Sequence, residues 1–174
     1  MILHDDFIKD RRVLDILKDE QLWDTKKGSV PPRGWYEGWW KSPPKHIWEK
    51  LIEAIWLRYP NVTKAKGFEW WTNIHENGGL GWHQDKDEDA ADKDQEDIIC
   101  PDYGAIFYPY PHACDGGMLE VMFNNDEDTV ERFAPAYNRL IMFDPAQFHR
   151  VSKVYTGERR AFIVNIWMDH VPRL

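Results

Sequence analysis

The sequence predicts a mainly β fold of the jelly-roll kind, a sandwich or barrel, with helices in the N-terminal part. From residue 67 onward, short β-type runs are separated by Gly, Pro, Asn and Asp, which is the spacing of strands joined by turns. Before residue 67, apolar residues recur at helical intervals instead. The helix-length connections that parallel strands need are missing, which disfavours an alternating strand–helix fold.

Two helices are predicted in the N-terminal part. Over Asp6–Glu20, apolar residues lie at roughly helical spacing among charged ones, as in a short amphipathic helix. Residues 25–41 hold four aromatic residues besides prolines and glycines, and predict an aromatic loop. A second helix is expected to begin with Ser42 as its cap and Pro43 at its first position, and to end at Tyr59-Pro60-Asn61.

The rest of the chain is predicted to form the strands of a β-core, because β-branched and aromatic residues dominate its short apolar runs. The predicted strands are Gly67–His75, Trp82–Asp85, Ala105–Tyr110, Met118–Phe123, Thr129–Phe133, Arg139–Phe143, Arg150–Tyr155 and Arg160–Trp167.

Length and charge limit the possible classes of protein. The chain has 174 residues, which suits a single domain (1–174) with a helical and aromatic part (1–66) packed on the β-core (67–174). A net charge of −8 argues against nucleic-acid binding, and no apolar run approaches the ~18 residues of a membrane span. Cys100 and Cys114 show no disulfide or zinc pattern, so a reduced, cytoplasmic location is expected.

The triplet His83-Gln84-Asp85 is the strongest candidate for a metal site. Alternate residues of a strand share a face, so the imidazole and the carboxylate should converge inside the barrel. His149, near the start of a later strand, would complete a two-His, one-carboxylate set, which leaves open coordination positions on ferrous iron. The alternative is a chance match, because the chain holds seven histidines.

Two arginines follow the third candidate ligand, and one of them is suited to hold a small dicarboxylate. Arg159 lies ten residues after His149, and its planar guanidinium can bind a carboxylate in a bidentate way. Strand alternation places Arg159 with Ala161, Ile163 and Asn165 on one face and Arg160 on the other. The alternative is that both arginines lie on the surface.

With these residues in place, the sequence resembles the Fe(II)- and 2-oxoglutarate-dependent oxygenases, in the branch of the prolyl hydroxylases. Five segments in family order carry the resemblance, and they span roughly residues 67–168. These segments are GWHQDKD, AIFYPY, GGMLEV, NRLIMFDPAQFHRV and GERRAFIVNIW.

The resemblance implies a double-stranded β-helix that binds Fe(II) through His83, Asp85 and His149. It also implies that Arg159 and Tyr108 bind the distal carboxylate of 2-oxoglutarate and that Leu119 forms an apolar wall beside it. The implied reaction is that of a hydroxylase, which consumes O2 and releases succinate and CO2. Its substrate would be a small molecule, an amino acid or a peptidyl residue.

The chain departs from the prolyl hydroxylase pattern at two positions. Asn73 and Asn165 stand where relatives commonly have aromatic residues, which suggests a more polar substrate pocket. Trp71 and His75 share a strand face with Asn73 and are further candidates for substrate contact. The alternative for both asparagines is hydrogen bonding within the barrel, and for His75 a hydrogen-bonded position at the strand end.

Two biased segments need a separate explanation. Residues 85–97 hold eight acids and two lysines and are expected to form a long loop at the mouth of the site, either a lid that favours a cationic substrate or a solvated loop. Trp35, Trp39 and Trp40 lie in the aromatic loop and are candidates to cover the substrate. Two other functions stay open: a non-catalytic, cupin-like metal-binding module and a tryptophan-rich interaction domain.

Overall fold

A computed structural model describes residues 1–23, 32–91, 98–111 and 114–172. The helices are α1 (Arg11–Ile16), α2 (Ile47–Trp56) and α3 (Glu88–Ala91). The strands are β1 (Ile2–His4), β2 (Arg33–Tyr36), β3 (Gly67–His75), β4 (Leu80–His83), β5 (Tyr103–Tyr108), β6 (Cys114–Gly116), β7 (Leu119–Met122), β8 (Val130–Phe133), β9 (Arg139–Phe143), β10 (His149–Val151), β11 (Val154–Gly157) and β12 (Arg159–Trp167). None of the described helices is long and apolar enough to cross a membrane.

The strands form two facing sheets and a short ribbon. The major sheet has the order β1-β9-β5-β12-β3-β2, and the minor sheet has the order β4-β10-β7-β8. Strands β6 and β11 pair with each other. Apolar residues from β5, β9 and β12 of the major sheet meet residues from β7 of the minor sheet in one cluster, the sandwich core. The sandwich core consists of Ile106, Tyr108, Leu119, Val121, Ile141, Phe143, Ala161 and Ile163.

The opposite face of the major sheet is covered by the N-terminal part. On β12 the alternate residues Phe162, Val164 and Ile166 belong to a second apolar cluster, the helix-side core, which also contains Trp48 and Trp56 of α2. The Trp48 ring stacks on Phe162 with 5.2 Å between the ring centroids. This packing is the one expected for α2, whose apolar residues recur along one face.

The N-terminal helices are shorter than predicted. Helix α1 covers six residues instead of Asp6–Glu20, because the chain turns to bury both Leu17 and Trp23, and the Trp23 indole donates to the Leu17 carbonyl. Helix α2 begins at Ile47, and its cap is His46, whose ring accepts from the Glu49 amide. Ser42 is not the cap: its carbonyl instead accepts a hydrogen bond from the Tyr36 hydroxyl.

The aromatic loop also differs from its prediction. Residues 33–36 form the edge strand β2, which pairs with β3 and extends the major sheet. Trp39 and Trp40 pack on Phe68 of the helix-side core, with ring centroids 6.0 and 5.9 Å apart. The expectation that the aromatic loop covers the substrate is therefore wrong for Trp39 and Trp40, because they lie on the face of the sheet away from the sandwich core. Trp35 is the direct partner of Glu69 in the pair of β2 with β3, and its role stays a prediction.

Candidate active site

The three predicted metal ligands converge at one end of the minor sheet. His83 ends β4 and His149 begins β10, and the two residues are direct partners in the antiparallel pair of these strands. Asp85 Oδ1 lies 3.6 Å from the Nε2 atom of each histidine. The ligand atoms of all three residues lie within 4.8 Å of one another, which is a spacing that one metal ion can bridge.

Asp85 reaches the cluster from a loop. Strand β4 ends at His83, so the predicted strand Trp82–Asp85 is too long at its end. The Asp85 amide donates to the carbonyl of Pro145 at 3.0 Å, and this contact directs the carboxylate toward the histidines. The convergence was predicted, but it results from the loop rather than from alternation along one strand.

The atoms of the ligands that face away from the cluster have hydrogen-bond partners. His83 Nδ1 lies 2.8 Å from the carbonyl of Gly81, and His149 Nδ1 lies 2.9 Å from the carbonyl of Gln147. Each Nδ1 therefore carries the proton and donates a hydrogen bond to a carbonyl. This leaves the Nε2 lone pair directed at the cluster. Asn165 Nδ2 donates to Asp85 Oδ2 at 2.9 Å and so fixes the carboxylate.

The cluster is charged in a way that suits a cation. Burial raises the pKa of Asp85, but the adjacent His149 and His83 and the hydrogen bond from Asn165 outweigh this effect and hold its pKa well below the usual range. The carboxylate is therefore ionised at neutral pH. Two imidazole nitrogens and one ionised carboxylate oxygen are the donor set that a ferrous ion takes while keeping further positions open.

A buried arginine lies deeper in the same interior. Arg159 is 1% exposed, and its Nη2 donates to the hydroxyl of the fully buried Tyr108 at 3.0 Å. Among the described residues Arg159 Nε has no hydrogen-bond partner. Leu119, the predicted apolar wall, belongs to the sandwich core together with Tyr108. These residues fit a ligand that carries a carboxylate, because a buried cation otherwise lacks its counter-charge.

Arg160 lies on the opposite face of β12. It forms ion pairs with Glu20 and Glu158, and its guanidinium lies 4.0 Å from the centroid of the Tyr110 ring. Both arginines are buried, so the alternative of a surface pair is wrong, and the alternation predicted for β12 agrees with the structure.

A cavity of about 480 Å³ opens beside the ligand cluster. Of the four predicted substrate residues, Trp71 and Asn165 line it, whereas Asn73 and His75 are absent from its described lining. The lining residues are Glu69, Trp71, Trp82, His83, Gln84, Asp85, Lys86, Glu88, Ile98, Phe148 and Asn165. Asn165 faces both the cavity and Asp85, which supports the expectation of hydrogen bonding within the barrel.

Glu69 is a cavity residue that the sequence reasoning missed. Its carboxylate accepts a hydrogen bond from the Trp167 indole at 3.2 Å. Burial, together with the negative charges of Asp85 and Asp87, raises the pKa of Glu69 to about 7. The alternation along β3 that selected His75, Asn73 and Trp71 reaches Glu69 one step further, so this signal was present in the sequence.

The first part of the acidic segment is structured. Asp87 is 3% exposed, and its carboxylate bonds to His170 Nε2 at 2.6 Å and to the amide of Ala90 at 3.1 Å. One turn of helix, α3, follows. Asp87 thus ties the first part of the segment to the chain after β12, and the choice between a lid and a solvated loop stays a prediction. Residues 92–97 lie outside the described residues.

Comparison with known proteins agrees with this geometry. The family model described as 2OG-Fe(II) oxygenase superfamily matches residues 70–169, which include all three members of the ligand cluster and Arg159. The chain belongs to this superfamily. It is therefore a 2-oxoglutarate-dependent dioxygenase that uses Fe(II) and O2.

Solved structures of the superfamily share the fold. A prolyl-4-hydroxylase from Pseudomonas putida superposes with a TM-score of 0.69 at 15% identity, covering 97% of this chain and 92% of that one. The collagen prolyl hydroxylase of Paramecium bursaria Chlorella virus 1 gives 0.63 at 17% identity over 97% and 96% of the two chains. HygX from Streptomyces hygroscopicus, solved with nickel and 2-oxoglutarate, gives 0.59 at 12% identity over 98% and 83%. Curated proteins gave no match to the sequence.

These likenesses identify the two facing sheets as a double-stranded β-helix, as predicted. At sequence identities of 12–17%, these structures show a shared fold and do not identify the substrate. The substrate has to be inferred from the residues of the cavity.

Proposed function

We propose that this dioxygenase hydroxylates an unactivated C–H bond of a small molecule, an amino acid or a peptidyl residue. His83, Asp85 and His149 would hold the iron, and Arg159 and Tyr108 would hold the distal carboxylate of 2-oxoglutarate against Leu119. The observation that carries the proposal is that one β-helix contains both this ligand cluster and the buried Arg159, whose Nε has no hydrogen-bond partner among the described residues.

Bound iron and 2-oxoglutarate would supply the oxidising chemistry. The reaction would consume O2, release succinate and CO2, and deliver one oxygen atom to the substrate as a hydroxyl group. The protein contributes orientation and exclusion of water. Arg159 and Tyr108, both buried, would anchor one end of the cosubstrate. Asp85 completes the ligand set, which supports hydroxylation or a related oxidation such as desaturation.

The substrate is proposed to carry a positive charge. Glu69 and Glu88 line the cavity, and its one described cation, Lys86, lies 3.5 Å from the carboxylate of Glu88. Trp71 and Phe148 add aromatic faces, which attract cations and favour planar or aliphatic groups, whereas the Trp82 ring already has the Arg150 guanidinium 4.6 Å from its centroid. A basic amino acid or a basic peptide residue fits this combination, with Trp71 as a substrate contact. Asn73 stays a predicted contact.

A peptidyl substrate has support from a structural neighbour. A prolyl hydroxylase from Trichoplax adhaerens, solved with a fragment of the oxygen degradation domain of hypoxia inducible factor, superposes with a TM-score of 0.55 over 97% of this chain. The lining of the cavity of about 480 Å³ includes the exposed residues Glu88, Ile98 and Phe148, so the cavity is accessible from solvent and a side chain of a peptide can enter it.

Binding of iron and 2-oxoglutarate is tested by anaerobic addition of Fe(II) and then 2-oxoglutarate. The readout is the charge-transfer absorption of the chelate. The wild type and Arg160→Ala should develop the band, whereas His149→Ala and Arg159→Ala should not at the same concentration. Absence of the band in the wild type would overturn the proposal. Loss of the band in Arg160→Ala alone would reverse the roles of the two arginines.

The substrate class is tested separately by succinate release. Lysine, arginine and peptides that contain them should stimulate release above the uncoupled rate, and acidic analogues of the same length should not. Equal stimulation by acidic and basic compounds would contradict the charge assignment and leave the dioxygenase assignment intact.

A further inference from the structure

We propose that His75 binds 2-oxoglutarate, by donating a hydrogen bond from its Nε2 to the distal carboxylate beside Arg159. This inference rests on the proposed function of Arg159. It moves His75 from the substrate side of the site, where the sequence suggested it, to the cosubstrate side.

The register of β3 and β12 brings the two side chains together. His75 is the direct partner of Arg159, and Asn73 is the direct partner of Ala161. Direct partners on antiparallel strands project to the same face, with Cβ atoms about 5 Å apart. Ala161 is fully buried in the sandwich core, so this face is the interior one. His75 therefore flanks Arg159 on the side away from Tyr108, because β12 lies between β3 and β5.

Both side chains have an unsatisfied nitrogen. His75 Nε2 and Arg159 Nε are buried and have no hydrogen-bond partner among the described residues. Within the same residues Arg159 forms no ion pair, although its side chain is nearly inaccessible. Buried donors and charges are normally paired, so two neighbouring nitrogens without partners indicate a missing acceptor. A carboxylate has enough lone pairs for both of them and for the Tyr108 hydroxyl.

The protonation state of His75 suits this role. Burial, and then the positive charge of Arg159, lower the pKa of His75 to about 4. The ring is therefore neutral at physiological pH and carries one N–H, so it can donate without repelling the guanidinium. A lysine at this position would compete with Arg159 for the same anion at a higher desolvation cost.

The test uses the anaerobic titration of the Fe(II) protein with 2-oxoglutarate. His75→Phe, which removes the donor and keeps the ring, should raise the Kd about tenfold, the effect expected for one hydrogen bond to a charged acceptor. His75→Gln, which keeps an N–H at a similar distance, should stay within about threefold of the wild type. His4→Phe, at an exposed histidine, is the matched control and should have no effect.

A second ligand separates recognition from structural damage. 2-Oxobutyrate presents the same chelating keto acid to the iron but lacks the distal carboxylate. His75→Phe should bind it as the wild type does. Equally weakened binding of both ligands would mean that His75 has a structural role and would overturn the inference. An unchanged Kd for 2-oxoglutarate would also overturn it. A wild type without any chelate band would instead refute the proposed function, so the two failures are distinguishable.

Discussion

At the scale of single residues, the proposed metal ligands are held by contacts that the ligand motif does not contain. Asn165 bonds the second oxygen of Asp85 at 2.9 Å, and backbone carbonyls bond the Nδ1 atoms of both histidines. Such outer contacts determine the tautomer and orientation of each ligand, and their loss typically weakens metal binding by about 10- to 100-fold.

Replacing Asn165 by Ala should therefore weaken Fe(II) binding by at least about tenfold, because Asp85 loses its orienting donor. Competition with a chelator of known affinity measures this change. Asn73→Ala, on the neighbouring strand and without a described contact to Asp85, is the control. An iron affinity equal to that of the wild type would mean that Asn165 acts on substrate alone.

Glu69 should make the iron-free protein less stable at higher pH. Its pKa is raised to about 7 from a usual value of 4.5, first by burial. Between these two values the folded chain binds more protons than the unfolded chain, so this contribution to stability is present below about pH 4.5 and is lost as the pH rises through about 7.

Glu69→Gln should consequently unfold at a higher temperature than the wild type at pH 8, with a smaller difference at pH 5. The expected gain at pH 8 is on the order of 1 kcal/mol, since part of the side chain is exposed and screened. Thermal unfolding with a chelator present measures it, and Glu131→Gln, at an exposed glutamate on β8, is the control. A larger gain at pH 5 than at pH 8 would contradict the assignment.

At the scale of elements, β12 connects the two halves of the molecule. Its inner face carries Arg159 and Asn165 toward the site, and its outer face carries Phe162 and Arg160 toward the N-terminal part. Arg160 bonds Glu20 at 2.6 Å, which joins the strand to the turn at residues 20–23. One strand thus supports both binding and the attachment of the helices.

Arg160→Ala should lower the free energy of unfolding by about 2 kcal/mol, because Glu20 and Glu158 lose their buried partner and the Tyr110 ring loses its cover. The same variant should bind 2-oxoglutarate within about threefold of the wild type, since its side chain is on the outer face. Chemical denaturation and the anaerobic titration measure the two quantities. Unchanged stability together with lost 2-oxoglutarate binding would refute the division of β12 into two faces.

At the scale of the whole molecule, the negative charge is concentrated in one segment of the sequence. The formal net charge is −8, and residues 85–97, with eight acids and two lysines, contribute −6 of it. Asp85 and Glu88 of this segment line the cavity, so we expect its negative charge to attract a cationic substrate over a distance set by the salt concentration. We infer that residues 1–66 and 67–174 act as one unit, because α2 and the major sheet share the helix-side core.

Combined substitution of Glu88, Asp89, Asp92 and Asp94 by their amides should raise the KM for a cationic substrate by about two- to fivefold in low salt. The difference in KM should disappear at about 0.5 M salt, where the screening length is roughly 4 Å. Asp87 is left unchanged because it bonds His170. The control neutralises Glu127, Asp128 and Glu131, which are exposed elsewhere. An effect independent of salt would mean direct contact instead of long-range attraction.

The sequence alone was sufficient for the features that depend on local pattern. Strands β3 and β9 have the predicted bounds, and β12 differs by one residue, because short apolar runs bounded by turn residues are local signals. The prediction that His83, Asp85 and His149 form a metal site followed from their spacing and from the family resemblance. The structure brings these three residues together, and the family comparison confirmed the enzyme class.

Only the tertiary structure decided which side chains meet. His75 faces Arg159, Asn165 bonds Asp85 across 80 positions of the chain, and His170 bonds Asp87 across 83. These contacts depend on the register and the order of strands, which local propensities do not encode, because a shift by one residue would exchange the two faces of every strand. Composition and motifs therefore determine the chemistry that this protein can perform. The pairing of β3 with β12 places His75 beside Arg159 and turns Glu69 and Trp71 toward the cavity.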